Sequence, residues 1–206
     1  MVVIGLTGGI GTGKSSVSRI LAGLGAAIID AAPVGHEGYN STNAVWKALI
    51  QIFGSEILLP NNQIDRQKLG NIVFNDPTAM AQLNAIMRPE IRNLLIERLE
   101  KALDQGGKVA VLDSATLIDA GWMTLTDEVW LVTAPKQIRI ARLRERDGLS
   151  DDAITARLTS QLSNEEQLPH IDQLIENKGT LAELTTAVKG LWTKRIETKV
   201  RDDGAT

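Results

Sequence analysis

The sequence predicts an α/β fold, a parallel sheet with helices on both faces, and three observations predict it. Short apolar runs recur at 2–6, 26–29, 109–112 and 127–132, of the length and composition of buried strands. Loops and stretches with apolar residues at helical spacing separate them, the alternation of a parallel sheet. Between the second and third runs lies a long block without any strand pattern, 33–98, which reads as a helical insertion.

The first run opens into Gly8, Gly9, Ile10, Gly11, Thr12, Gly13, Lys14, Ser15 and Ser16, and a helical pattern led by Val17, Ile20 and Leu21 follows. This is G-x-x-x-x-G-K-[ST] between a strand and a helix, the P-loop in its required setting. Glycines let successive N–H groups turn inward around phosphate oxygens, and the next helix points its positive dipole end at the same anion. Lys14 is placed to reach the β and γ phosphates, and the Ser15 hydroxyl to hold Mg2+. A dinucleotide-binding loop is the competing reading, but its G-x-G-x-x-G spacing is absent and the lysine has no role in it. The expected fold is therefore of P-loop NTPase type, and binding of a nucleoside triphosphate is the first functional expectation.

Composition narrows the partners. With a net charge of −3 over 206 residues there is no bulk electrostatic case for nucleic acid or an anionic membrane surface, so any phosphate site is local. Cysteine is absent, which removes disulfides, thiolate metal sites and cysteine nucleophiles together. No basic leader precedes the first apolar run, which is far shorter than a membrane span. A soluble cytoplasmic protein is expected, with no internal repeat and no low-complexity segment.

Gly23 and Gly25 turn the chain into the second strand, which ends on Asp30. Ligands of open α/β sheets bind beyond the carboxyl ends of strands, so Asp30 is a candidate at the phosphate site; a turn or cap role is the alternative. Val45, Trp46, Leu49 and Ile52 then predict a helix, 54–63 a loop, and Leu69, Ile72, Val73 and Phe74 another helix. Asp76-Pro77 starts a third, which Pro89 is expected to break or restart before Ile91, Leu94, Leu95, Ile96 and Leu99. The block reads as a substrate wall, or as plain helical packing on the sheet.

The third strand closes on Asp113, the placement of a Walker B carboxylate that helps hold Mg2+. After the fourth strand comes a basic stretch. Arg139, Arg142 and Arg146 are three and four residues apart, hence on one helical face, while Arg144 points elsewhere and Arg157 follows a loop. A solvated charged face is the bland alternative. A kinase needs cations over the transferring phosphoryl group, and a mobile arginine-bearing lid supplies them. Leu174 and Ile175 give a short strand, 176–179 a turn, and Leu181, Leu184, Val188, Leu191 and Trp192 a final helix before a polar, fraying end at 202–206.

In order, these motifs resemble the dephospho-CoA kinase family over nearly the whole chain. The resemblance is carried by L-T-G-G-I-G-T-G-K-S at 6–15, I-I-D-A at 28–31, G-H-E-G-Y at 35–39 and I-D-R-Q-K-L-G-N-I-V-F at 64–74. It continues with R-L-R-E-R-D-G-L-S at 142–150, R-L-T-S-Q-L-S at 157–163 and I-E-N-K-G at 175–179. It implies an enzyme that uses ATP and Mg2+ to phosphorylate the ribose 3′-hydroxyl of dephospho-CoA, the last step of coenzyme A synthesis. It implies a single kinase unit, 1–206, with a nucleotide-binding core (1–32, 107–135, 165–200), a helical CoA-substrate region (33–106) and a lid (136–164). Lys14, Asp30, Arg142 and Arg146 are then the catalytic candidates, Ser15 and Asp113 the metal ligands, and the Asn177 segment lies near the adenine.

The departures are specific. The family's strand-two triplet D-A-D, whose second aspartate is the favoured general base, is here Asp30-Ala31-Ala32. Its H-P is Arg88-Pro89, and its P-L-L-x-E or A-L-L-x-E is Ala115-Thr116-Leu117-Ile118-Asp119. An alanine methyl neither accepts a proton nor orients a hydroxyl. Besides an active kinase, two alternatives stand: a catalytically impaired relative that acts by binding nucleotide, and a kinase for another nucleoside-like acceptor.

Overall fold

The computed structural model describes residues 1–39, 42–148 and 150–199; the expected polar end at 202–206 and Leu149 of the second basic motif lie outside them. The chain runs β1 (Val2–Thr7), α1 (Lys14–Gly23), β2 (Ala27–Asp30), α2 (Ala31–Gly38), α3 (Asn43–Phe53), α4 (Arg66–Val73), α5 (Pro77–Asp104) and β3 (Val109–Asp113). It continues with β4 (Glu128–Thr133), α6 (Lys136–Asp147), α7 (Asp151–Thr159), α8 (Asn164–Gln167), β5 (Gln173–Glu176) and α9 (Leu181–Trp192). It divides into two compact units, Met1–Ile29 with Leu99–Thr206, and Asp30–Arg98.

In the first unit the strands form one sheet in the order β2-β3-β1-β4-β5, and β1 pairs in parallel with β3 and β4, as β4 does with β5. The α/β class expected from the apolar runs is observed. Alternate side chains explain the packing. Val2, Ile4, Leu6, Val109, Val111, Trp130, Val132 and Ile175 share one face and bury Val17 and Leu21 of α1 with Leu184, Val188 and Trp192 of α9. The period of two in the strands thus meets a period of three to four in the helices. On the other face Gly5 leaves room for Leu117, since a Cβ there would stand 2.6 Å from the leucine methyl. The connection from β1 runs to β2 on one side and that from its neighbour β3 runs to β4 on the other, so the crevice at their carboxyl ends is the topological switch point, where such sheets bind ligands.

The Asp30–Arg98 unit has its own core: Val45, Leu49 and Phe53 of α3, Ile57 and Ile64 of the connection that follows, Leu69 and Val73 of α4, and Ala79, Leu83 and Met87 of α5. Helix starts are capped as their residue types dictate; Asp65 accepts the N–H groups of Gln67 and Lys68. The expected loop at 54–63 contains a short 3-10 turn, Ser55–Ile57, and a bridge from Leu58 to Ile64. Phe74 departs from its expected helical place: α4 ends at Val73, its buried stripe is Leu69 and Val73, and Phe74 is 81% exposed.

Pro89 also corrects an expectation, because α5 runs unbroken through it for 28 residues. Proline removes one intrahelical N–H bond and crowds the preceding turn. Side-chain anchoring offsets this: Ala79, Leu83, Met87, Leu95 and Leu99 are all buried, and Ile91 between them is packed on the core of its unit. A strict spacing of four drifts by about 40° per step, so the stripe winds round the helix and anchors it on both sides of the proline.

Candidate nucleotide and phosphoryl-transfer site

The sheet register levels the strand ends that build the site. Leu6 pairs with Asp113 and Thr7 with Leu131, so the loop after β1 emerges beside the last residue of β3. The Thr12 hydroxyl is buried and donates to the Gly9 carbonyl at 2.8 Å, closing the loop on itself. Gly13 caps α1 at φ +93°, a left-handed conformation that favours glycine, and any Cβ there would collide with the Asn177 amide. A cavity of about 790 Å3 opens over this turn. Gly8, Gly9, Ile10, Gly11, Gly13, Lys14, Ser15, Ser16, Arg142, Arg146 and Asn177 all line it. The expected phosphate-binding residues are thus brought together, except that Thr12 is turned inward as a brace.

The charges are arranged around the loop. Lys14 forms an ion pair with Asp113, whose carboxylate is buried. Arg142 donates to the Gly11 and Thr12 carbonyls at 3.3 and 3.1 Å, and to the Asn177 side-chain oxygen at 3.3 Å. Asn177 is itself buried and donates its amide to the Thr12 carbonyl at 2.8 Å. Arg146 lines the cavity but is exposed and held by Asp147 at 2.7 and 2.8 Å, and each of these groups favours the charged form of the other. Arg144 points away, as its spacing predicts, and binds Asp151.

Asp30 takes the capping role: its carboxylate accepts the Ala32 N–H at 3.0 Å and starts α2. Ala32 is exposed in the first turn of that helix. Of the other departures, Thr116 and Asp119 share a second cavity of about 340 Å3 with Gly9, Ala115 and Gln161, and the Thr116 hydroxyl lies 3.3 Å from that of Ser114. In the Asp30–Arg98 unit, motif residues also meet: Arg66 lies 2.7 Å from His36 Nε2, and Arg98 pairs with Glu37.

Two residues that the sequence placed in its motifs, Arg139 on the arginine face and Gln161 in R-L-T-S-Q-L-S, have contacts the sequence did not disclose. Arg139 donates its Nε–H to the Ile10 carbonyl at 2.8 Å, and Gln161 Oε1 accepts the Ile10 N–H at 2.8 Å. Burial pushes Arg139 below its ordinary value. Its position three residues before Arg142 had set it on the arginine face, and the motif at 157–163 marked Gln161 without saying what it touches. Arg19, Leu181 and Leu184 also line the main cavity and carry no motif.

A parallel sheet with a glycine loop, lysine and serine at the switch point, and an arginine-bearing helix over the loop, defines a P-loop kinase. The chain belongs to the dephospho-CoA kinase family, whose pattern it matches over residues 2–183. A dephospho-CoA kinase of Geobacter sulfurreducens is 42% identical over 95% of this chain and 100% of its own length. Among solved structures, a Thermus thermophilus protein superposes with a TM-score of 0.79 at 30% identity, over 94% of this chain and 97% of that one. The dephospho-CoA kinase from Campylobacter jejuni does so with a TM-score of 0.69 at 26% identity, over 96% and 98%.

Proposed function

We propose that this protein transfers the γ-phosphoryl group of ATP to the ribose 3′-hydroxyl of dephospho-CoA, giving ADP and CoA. The observation that carries the reading is the gathering of Lys14, Ser15, Arg142 and the loop glycines around one cavity, in a chain that belongs to this family over nearly its full length. The loop N–H groups and the start of α1 bind phosphate oxygens, and Lys14 spans the β and γ phosphates. Phosphoryl transfer passes through a loose transition state, so positioning and charge stabilisation supply most of the catalysis. Arg142, and Arg146 once released from Asp147, are the lid cations for the transferring group.

Ser15 and Asp113 fit Mg2+. One hydroxyl and one buried carboxylate beside the phosphate loop leave the remaining positions to phosphate oxygens and water, as this ion prefers. Mg2+ bound there would neutralise charge on the β and γ oxygens. The core binds nucleotide, the helical region 33–106 receives the CoA moiety, and 136–164 forms the lid. Asn177, as a brace of the loop, belongs to the nucleotide side. Among the described residues no helix is long and apolar enough to cross a membrane. A cytoplasmic location and a small-molecule partner, with no nucleic acid, complete the reading.

Ala32 favours a second reading, a relative that binds nucleotide with impaired transfer. One assay separates them: incubation with Mg-ATP and dephospho-CoA, with ADP and CoA measured. Turnover well above a Lys14→Ala control is expected. ATP binding without turnover above that control overturns the kinase reading in favour of the binding one.

A further inference from the structure

The geometry points to Arg139 and Gln161 as a positioning clamp on the phosphate loop, acting through the two peptide groups of Ile10. This rests on the reading of the main cavity as the ATP site. A trans peptide is planar, with its C=O and N–H pointing in opposite directions. Arg139, from α6, holds the Ile10 carbonyl at 2.8 Å, and the N–H on the far side of that same peptide belongs to Gly11. Pinning the carbonyl therefore aims the Gly11 N–H. Gln161, from the segment between α7 and α8, holds the Ile10 N–H at 2.8 Å and so fixes the preceding peptide, whose carbonyl is that of Gly9. That carbonyl is already engaged by the Thr12 hydroxyl.

The clamp lies against two of the loop glycines. A Cβ on Gly9 would stand 2.6 Å from Arg139 Nη2 and 3.0 Å from Gln161 Oε1. A Cβ on Gly11 would stand 3.1 Å from the Arg139 carbonyl. A side chain at Gly9 would thus have to push the clamp's flexible ends aside, and one at Gly11, where φ is +78°, would meet the backbone of Arg139. Its location is also informative. Gln161, Gly9 and Ala115 line both the 790 Å3 cavity and the 340 Å3 cavity, so the clamped peptides stand where the two meet. Arg139 is partly desolvated, and a cation in that setting makes a stronger hydrogen bond than one in water. Arg142 performs the same service for the next two carbonyls, so one face of α6 orients three successive peptides of the loop.

A positioning role predicts a selective loss. Arg139→Met and Gln161→Leu should lower kcat by roughly tenfold to a hundredfold, the scale set by misplacing groups around a reacting centre. KM for ATP and the thermal midpoint should change little, and Arg139→Lys should recover part of the loss. Arg144→Met, which removes a charge from the same helix outside the site, should match the parent. A readout independent of the acceptor is the ratio of affinities for ADP with and without aluminium fluoride, in the presence of Mg2+. The clamp variants should lose affinity for the transition-state mimic while ADP binding shifts by no more than about twofold. Unchanged kcat and an unchanged ratio overturn the clamp, as does a loss confined to ADP binding or to the thermal midpoint. Should the parent bind the mimic tightly yet phosphorylate no dephospho-CoA, the acceptor assignment fails and the ratio still decides the clamp. A parent that gains nothing from aluminium fluoride overturns the clamp as well.

Discussion

The ammonium group of Lys14, at the start of α1, is ion-paired with Asp113, the last residue of β3. Both residues are also assigned to the bound nucleotide, the lysine to phosphate and the carboxylate to Mg2+, so the pair holds two site charges in place of the ligand's. Lys14→Ala should abolish most turnover, by at least about a hundredfold, since it removes a preorganised cation from the developing charge. It should also destabilise the nucleotide-free protein by about 1–3 kcal/mol, because Asp113 is left buried without its partner. A Lys14→Met, Asp113→Asn double variant should regain stability and stay inactive. Urea unfolding beside the ADP assay checks both; a double variant no more stable than Lys14→Ala would show that the pair carries no such coupling.

Asn177 is the only protein contact assigned by resemblance to the adenine side, yet its amide is spent on the loop: it donates to the Thr12 carbonyl and accepts from Arg142. Asn177→Ala should therefore raise KM for ATP and lower stability by about 1–2 kcal/mol, the loss of one buried hydrogen-bonding group. Asn177→Asp should destabilise more, since it turns a carboxylate oxygen toward the Thr12 carbonyl. Isothermal binding of ATP and thermal unfolding of the two variants provide the check. An Asp variant as stable as the parent would contradict the assigned contact.

At the other end of β4, Glu128 is buried and receives Trp130 Nε1 at 3.0 Å, Arg195 at 3.1 Å and Lys199 at 2.7 Å. Burial pushes its carboxyl up, but the hydrogen bonds from Lys199, Trp130 and Arg195 together outweigh this and hold it below its ordinary 4.5. A carboxyl depressed in the folded state contributes stability fully above its unfolded value and loses it as pH falls through the folded one. Glu128→Gln should thus be less stable than the parent at pH 7, by about 1 kcal/mol after allowing for the exposure of both cations. The difference should shrink below about pH 4.5. Denaturant melts at pH 7 and pH 3 test this; a constant difference would remove the ionic explanation.

How much was readable in advance differs between local and nonlocal features. The loop from Gly8 to Ser15 was legible because its chemistry is contiguous: backbone turn, lysine and hydroxyl follow one another, and the flanking strand and helix announce themselves by period. Pro89 misled because its penalty is local while the anchoring of Met87, Leu95 and Leu99 depends on surfaces distant in sequence. Phe74 misled for the opposite reason, since apolar character alone does not say where a helix stops. Asp30 was visible as a carboxylate at a strand end with a cap as one of its two readings, but that it caps Ala32 requires knowing that a helix starts immediately after it. Gln161 fell within the R-L-T-S-Q-L-S motif, but its contact was not readable, because its partner lies 151 residues away and its residue type suits any polar linker.

The first turn of α2 allows a direct test of the missing carboxylate. Ala32 is exposed, its N–H is already satisfied by Asp30, and an acidic side chain in a first helical turn interacts favourably with the helix dipole. Ala32→Asp should therefore fold at least as stably as the parent. If the acceptor is dephospho-CoA and its 3′-hydroxyl lacks a proton acceptor, the same change should raise kcat by about a hundredfold, within the range general-base catalysis supplies, with little effect on KM for ATP. The gain should follow the ionisation of the new carboxylate and fall away at acid pH, whereas Ala32→Asn should show none of it. A rise produced equally by the asparagine would identify hydroxyl orientation, and not proton transfer, as what this position contributes. No rise with either residue, in a parent that turns over dephospho-CoA, would mean that the loose transition state is reached on positioning and charge alone.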